Sequence, residues 1–86
     1  MEYEYETKGV CSKKIIIELE DNIIKKVKIV GGCPGNTEGI EKLVIGMNVD
    51  EVIKRLRGIS CGNKITSCPD QLTYALEEAK KVMENR

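Results

Sequence analysis

Four cysteines are the residues in this chain best able to do chemistry: Cys11, Cys33, Cys61 and Cys68. No two of them have the CxxC spacing, so the sequence fits neither the zinc-ribbon pattern nor the thioredoxin pattern. Thiolates bind zinc and iron–sulfur clusters, and reactive thiols carry out redox chemistry. These cysteines can act together only if the fold brings distant parts of the chain to one place.

The composition excludes several other chemistries. The chain has no histidine, which excludes serine and cysteine triads, HExxH metalloprotease sites and proton transfer by imidazole. Fourteen lysines and arginines balance fourteen aspartates and glutamates, so the net charge is zero. This balance argues against binding driven by the charge of a nucleic acid or an anionic membrane. We therefore expect neither a nucleic acid nor a membrane among the partners.

The length and the N-terminus indicate a small cytoplasmic domain. The 86 residues are enough for one domain, 1–86, and the longest apolar runs are only three residues long, too short to span a bilayer. The N-terminus alternates glutamate and tyrosine, which is unlike a secretory signal. In the cytoplasm cysteines are kept reduced, so we expect metal ligands or reactive thiols before disulfides.

Alternating apolar and polar residues predict three strands that form an antiparallel meander. The first covers residues 2–7 and the second covers 12–20, and the third follows a turn at 21–22. Opposed residues in a hairpin share a face, and a register that pairs Ile15 with Ile29 keeps apolar side chains together. That register requires a three-residue loop centred on Asn22. Extended outward, it pairs Cys11 with Cys33.

Helical spacing of apolar residues predicts three helices after the strands. The first follows a cap at Asn36 or Thr37, and its apolar stripe is Ile40, Leu43, Val44 and Met47. The second begins at Asn48 and ends before Gly58. The third begins at Ser67, with a stripe of Leu72, Ala75, Leu76, Ala79 and either Val82 or Met83. The expected fold class is α+β, a three-stranded antiparallel meander followed by three helices packed on one face.

These elements place all four cysteines in loops or at element ends. Cys68 falls in the first turn of the last helix, where the helix dipole favours a thiolate, and Cys61 precedes it by seven residues. We expect Cys11, Cys33, Cys61 and Cys68 to bind zinc, which is commonly held by three or four thiolates. An iron–sulfur cluster, redox-active thiols and buried apolar cysteines are the alternatives. We expect Asn36, Ser67 and Asp70 to cap helices or to support the ligands by hydrogen bonds.

A glycine-rich stretch, residues 31–36, is a weaker candidate for nucleotide binding. It leads from a strand into a helix, where backbone amides could cradle a phosphate. It lacks the lysine of a Walker motif, and it is not GxGxxG. Its glycines also allow the backbone to approach a metal site closely.

Residues 66–70 spell TSCPD, and the chain resembles the TSCPD domain family. The resemblance extends over 32–36, 58–59, 61–62 and 71–72, which covers nearly the whole chain. The family includes short stand-alone proteins and a domain at the C-terminus of adenosylcobalamin-dependent ribonucleotide reductases. The resemblance implies a link to ribonucleoside-diphosphate reduction in DNA synthesis, with a ribonucleotide reductase or another redox protein as partner. That reaction needs a large barrel, so we expect an accessory module.

The predicted fold is also similar, more distantly, to the U-type iron–sulfur scaffold proteins. Their cysteines lie before the second strand, after the third strand and at the start of a late helix, which matches Cys11, Cys33 and Cys68. Lys13 stands where those scaffolds carry an acidic residue, and Ser67 stands where they carry a histidine. These two departures favour a tight thiolate zinc site, with Cys61 as fourth ligand, over a labile cluster-assembly site. A thiol redox carrier and an iron–sulfur or sulfur carrier are the alternative functions.

Overall fold

Three strands come first in the chain and three helices follow them in the computed structural model, which describes residues 2–8, 12–31, 34–59 and 67–84. The strands form an antiparallel sheet in the order β1-β2-β3. This arrangement confirms the predicted α+β class and the meander. The elements are β1 (Glu2–Glu6), β2 (Ser12–Glu20), β3 (Ile23–Gly31), α1 (Pro34–Val44), α2 (Val49–Leu56) and α3 (Cys68–Glu84).

The middle of the β2–β3 hairpin has the predicted register, with Ile15 opposite Ile29. The turn differs from the prediction. Asp21 and Asn22 form a two-residue turn, and Asp21 takes the positive φ of 56° that such a turn requires. The predicted three-residue loop centred on Asn22 is therefore wrong.

A register shift beside the turn explains how a two-residue turn and the predicted register coexist. The shift lies between Glu18 and Leu19, and it places Leu19 opposite Ile24. Both of these side chains are buried in the core. A constant register would instead oppose Leu19 to Lys25, which would pair an apolar side chain with a charged one. Burial of apolar surface therefore decides the shift.

A second register shift lies at the open end of the hairpin. Ser12 is opposite Gly31, whereas Lys14 is opposite Val30, so the register changes by one residue around Lys13. The predicted pairing of Cys11 with Cys33 assumed a constant register. Both cysteines lie outside the described residues, and their pairing stays a prediction.

The helices pack on one face of the sheet, as predicted. α1 packs against β3, α3 packs against β1 and β2, and α2 packs against α3. Aliphatic side chains from both layers form the core: Ile15, Ile17, Leu19, Ile24, Val27, Ile29, Val44, Val49, Val52, Leu72, Ala75, Leu76 and Ala79. Among the described residues no helix is long and apolar enough to cross a membrane.

The first helix differs from the prediction at its start and in its apolar stripe. α1 begins at Pro34, before the predicted cap at Asn36 or Thr37, because the fixed φ of proline suits the first turn of a helix. Leu43 was expected in the core, yet 73% of its surface is exposed. Of the other predicted stripe residues, Val44 is buried, and Ile40 and Met47 are partly buried against the core. α1 ends at Val44, so Met47 follows the helix, beyond a turn at Gly46, whose φ is 83°.

The ends of the other two helices confirm the predicted boundaries. The Asn48 side chain accepts a hydrogen bond from the Asp50 N–H at 2.9 Å and so caps α2. Gly58, just past the end of α2, has a φ of 91°, which glycine adopts without strain. Ser67 caps α3 by accepting a hydrogen bond from the Asp70 N–H at 3.2 Å. Of the two alternatives for the end of the α3 stripe, Met83 packs against the core.

An ion pair joins α2 to α3 near the β2–β3 turn. Lys80 Nζ lies 2.7 Å and 3.0 Å from the two carboxylate oxygens of Asp50, and Asn22 Nδ2 donates to the same carboxylate at 3.0 Å. The hydrogen bonds from Lys80 and then from Asn22 lower the pKa of Asp50. The pair therefore stabilises the packing of α2 on α3 while Asp50 is ionised.

The Asp50 pair predicts a pH dependence of stability. Because the folded pKa of Asp50 lies below its ordinary 3.8, its contribution is present above about pH 4 and is lost as the pH falls through the folded pKa. We expect Asp50→Asn to unfold more easily than the wild type at pH 7, with the difference shrinking as the pH falls below about 4. Urea unfolding across this pH range measures it. Glu20→Gln serves as the control, because Glu20 makes an exposed 3.9 Å contact with Lys25.

A pair of leucine substitutions tests which helix positions belong to the core. Leu76 is fully buried, whereas Leu43 is 73% exposed. We expect Leu76→Ala to lower the free energy of unfolding by about 2–5 kcal/mol, because it leaves a cavity. Leu43→Ala should change it by less than about 0.5 kcal/mol. Equal losses in urea unfolding experiments would contradict this assignment of the core.

Candidate functional site at the start of α3

Four polar side chains at the start of α3 are buried: Ser67, Asp70, Gln71 and Thr73. Their exposed fractions are 4%, 4%, 6% and 0%. Burying a polar group is unfavourable unless a hydrogen bond replaces the lost water. The partners of these four side chains, which we call the polar cluster, therefore determine what the start of α3 holds in place.

Two members of the polar cluster hold the segment that follows α2. Ser67 Oγ donates a hydrogen bond to the Ile59 carbonyl at 2.6 Å. Asp70 Oδ1 accepts a hydrogen bond from the Gly58 N–H at 2.7 Å. Ile59 precedes Cys61 by two residues. Both side chains therefore bind the main chain that leads toward Cys61. Their support of a metal site stays a prediction.

A third member holds the segment that follows β1. Gln71 Oε1 accepts a hydrogen bond from the Lys8 N–H at 3.0 Å, and it lies 3.3 Å from the Tyr5 hydroxyl, which donates to it. Lys8 precedes Cys11 by three residues. One amide oxygen therefore connects the start of α3 to the chain that leads toward Cys11.

The fourth member connects α3 to the end of α2 through an arginine. Arg57 Nε donates to Thr73 Oγ1 at 3.1 Å, and Arg57 Nη1 donates to Glu77 at 2.9 Å. The same guanidinium lies over the Tyr74 ring, 4.2 Å from its centre. The hydrogen bond from Arg57 lowers the pKa of Glu77. These contacts position the turn from which the segment toward Cys61 departs.

Two tyrosine hydroxyls of β1 act as donors beside the polar cluster. Burial, followed by the nearby charge of Glu78, raises the pKa of Tyr5. Tyr3 donates to Glu78 Oε1 at 2.7 Å, and this hydrogen bond is the main cause of its raised pKa. Both hydroxyls therefore stay protonated at neutral pH and continue to bind α3 as donors.

Cys68 is the first residue of α3 and is half-buried. It is the predicted ligand that the structure describes, and it lies between Ser67 and Asp70 of the polar cluster. Cys11, Cys33 and Cys61 lie outside the described residues, as does the side chain of Asn36. Within the described ranges, Cys, Asp and Glu form no group of three or more that could hold a metal. The four-cysteine site therefore stays a prediction.

Three residues of this region were not predicted from the sequence as parts of a site: Arg57, Gln71 and Thr73. Gln71 and Thr73 flank Leu72, which is buried, so polar residues on both sides of a core position were a usable signal. Their partners were not predictable, since Gln71 binds residues that precede it by 63 and 66 positions.

A substitution of Gln71 tests whether its hydrogen bonds hold the end of β1. Gln71→Met keeps a similar size but removes the acceptor, so we expect a loss of about 1–3 kcal/mol in the free energy of unfolding. Tyr5→Phe removes one donor and leaves the Lys8 bond intact, so about 0.5–1.5 kcal/mol is expected. Amide exchange of Lys8 should accelerate strongly only in Gln71→Met. Unchanged exchange there would show that this bond does not hold the segment.

The comparisons with known proteins agree with the motif at the start of α3. The family model described as the TSCPD domain matches residues 2–80 of the chain. No curated protein and no solved structure matches it. The more distant likeness to U-type scaffold proteins therefore stays a prediction. Because the matched range includes all three strands, the polar cluster and most of α3, the chain belongs to the TSCPD domain family.

Proposed function

We propose that the protein is a small zinc-binding accessory module whose metal is held by Cys11, Cys33, Cys61 and Cys68. The observation that supports this most strongly is the polar cluster. It binds the main chain at Lys8 and at Ile59, and these residues shortly precede two of the other cysteines. Both segments are thereby held against the helix end that carries Cys68.

The short distances along the chain support the convergence of the cysteines. An extended residue spans at most about 3.6 Å. Three residues separate Lys8 from Cys11, which limits that reach to about 11 Å, and two residues separate Ile59 from Cys61, which limits it to about 7 Å. Cys33 stands two residues after Gly31, which is opposite Ser12, the neighbour of Cys11 in sequence. All three segments thus lead toward one end of the fold.

The donor set fits zinc better than it fits a hard cation. Four thiolates are a common ligand set of structural zinc sites, whereas magnesium and calcium prefer oxygen. The core of this chain is aliphatic, without phenylalanine or tryptophan, and a domain of this size gains stability from a metal. When bound, zinc would supply folding free energy. Ser67 and Asp70 would orient the chain around it, and Asn36 is proposed as a hydrogen-bond support.

We propose further that this module acts beside a ribonucleotide reductase or another redox protein. The support is membership of the TSCPD domain family, since such a domain also stands at the C-terminus of adenosylcobalamin-dependent ribonucleotide reductases. The described residues supply a packed α+β domain and a polar cluster. Reduction of a ribonucleotide needs a far larger enzyme, so the proposed role is to bind or support that enzyme in DNA synthesis.

A thiol redox carrier is the second candidate function. Cys68 is half-buried and so within reach of a reactant, and Cys61 is only seven residues away. In this function two thiols would lose two protons and two electrons to form a disulfide, and a disulfide of the partner would be reduced in return. An iron–sulfur or sulfur carrier is the third candidate, and the same measurements separate it from the others.

Metal content and thiol reactivity test the proposed function. We expect protein purified without added metal to contain one zinc per chain, with thiols that react only after a chelator removes the zinc. Cys68→Ser should lose the zinc, and its Tm should fall about as far as chelation lowers that of the wild type. Leu76→Ala is the matched control, because it destabilises the core but should still bind one zinc below its Tm.

The other outcomes identify the alternatives. Protein without metal, with thiols that titrate freely and form a reversible disulfide between Cys61 and Cys68, would support the redox carrier. Iron, labile sulfide and visible colour after anaerobic purification would support the cluster carrier. Either result would overturn the zinc module.

A further inference from the structure

The face of the sheet opposite the helices carries an ordered set of charges. We call it the outer face, and its residues are Glu2, Glu4, Glu6, Lys14, Ile16, Glu18, Glu20, Ile23, Lys26, Lys28 and Val30. The inward neighbours of these residues contact the helices, so their own side chains point away from the core. None of the described helices packs on the outer face.

The charges of the outer face are sorted by strand. β1 contributes three glutamates, so one side of the face is acidic. β3 contributes Lys26 and Lys28, so the opposite side is basic. The central strand β2 carries both signs, with Lys14 paired to Glu4 at 3.3 Å. A face that is acidic on one side and basic on the other is complementary to a reversed copy of itself.

The centre of the outer face is apolar. Ile16 lies between Glu4 on β1 and Lys28 on β3, and it is only half-buried. Val30, one step further along β3, is half-buried too. A solvated sheet face normally carries polar residues at such positions. The isoleucine therefore leaves apolar surface in the middle of a charged face, which is the pattern of an interface centre with a polar rim.

We propose that two copies of this chain pack outer face to outer face, related by a two-fold axis parallel to the strands. This rotation places β1 of one copy over β3 of the other, and β2 over β2. Glu4 then faces Lys28 of the second copy, and Glu2 faces Lys26 of the second copy. The two Ile16 side chains meet at the axis. This inference does not depend on the proposed zinc site.

The charges near the axis limit the strength of this dimer. Lys14, Glu18 and Glu20 each lie opposite the same residue of the second copy. Each also has an opposite charge nearby in its own chain. Lys14 pairs with Glu4, Glu18 lies across from Lys26, and Glu20 lies 3.9 Å from Lys25. Facing sheets lie about 10 Å apart, which lets these long side chains diverge. The two-fold arrangement makes four attractive pairs against three repulsive ones.

Face-to-face packing fits better than addition of a strand at the β3 edge. The Ile29 N–H points outward from that edge, and Glu41 Oε2 accepts its hydrogen bond at 2.6 Å. A strand added there would have to displace a carboxylate of α1. The edge of β3 is therefore already occupied by a side chain of its own chain, whereas the outer face is open among the described residues.

The size of the outer face predicts a reversible dimer. Three strands about 4.8 Å apart, with about 3.3 Å per residue, give a face on the order of 350 Å² in projection. A standard interface buries about 800 Å² per partner, so this one is small. We expect association only at high protein concentration. Added salt should weaken it, because the attractive pairs lie at the exposed rim.

Charge reversal on the two sides of the face tests this arrangement. Glu4→Lys alone and Lys28→Glu alone should each weaken self-association by at least about tenfold, because each places like charges opposite one another at two positions. An equal mixture of the two variants should associate again, since the lysine introduced on β1 of one variant then faces the glutamate introduced on β3 of the other. Sedimentation velocity over a concentration series measures all three samples, and circular dichroism verifies that each variant is folded.

A pair of isoleucine substitutions tests the centre of the face. Ile16→Lys should abolish dimer formation, whereas Ile45→Lys should not, although Ile45 is also an exposed apolar residue at 46%. A wild type that stays monomeric at millimolar concentration would overturn the proposal, because the outer face would then not bind a second copy of the chain. A dimer that survives both charge reversals and Ile16→Lys would overturn it as well, because another surface would then hold the copies together.

Discussion

The structure depends on one constraint, which is that the buried polar side chains at the start of α3 must keep their hydrogen bonds. Ser67, Asp70 and Gln71 all bind main-chain atoms of other segments, at separations of 8, 12 and 63 residues. Because these side chains are buried, losing one of these contacts removes part of what replaces the water that each group gave up on folding. Because the bound atoms belong to the main chain, the contacts fix the path of the backbone whatever side chains those segments carry.

The same constraint explains why short polar residues, rather than a larger apolar core, occupy the start of the helix. Apolar side chains would hold α3 on the sheet, as Leu72 and Leu76 already do. They would not fix the direction in which the chain leaves β1 and α2, because hydrophobic contacts have no directional preference. Hydrogen bonds to Lys8 and Gly58 do fix it. The apolar stripe therefore stabilises the packing of α3 on the sheet, and the polar cluster fixes the path of the main chain after β1 and after α2.

Much of the fold could be predicted from the sequence, because apolar alternation and helix caps are local signals. The strands, the Asn48 and Ser67 caps and the α3 stripe all follow from neighbouring residues. The two-residue turn could not be derived from the rule that opposed residues share a face, because the rule was applied with one constant register along the hairpin. The exposure of Leu43 could not be predicted either, because periodicity identifies the apolar side of a helix but not how far the elements packed against that side extend. The contacts of Gln71 connect residues more than sixty positions apart.

Successive side chains along a strand point to opposite faces of the sheet, so the buried residues also identify the residues that point outward. The face that packs against the helices and the outer face are therefore formed by different residues. Ile15 and Ile17 are fully buried against the helices, so Ile16 between them must point to the outer face. The charges of β1 and β3 can therefore vary without disturbing the core or the polar cluster. Folding does not require that one edge strand be acidic and the other basic on this face. The physical consequence of this arrangement is an attraction between copies that leaves the start of α3, on the opposite side of the sheet, accessible.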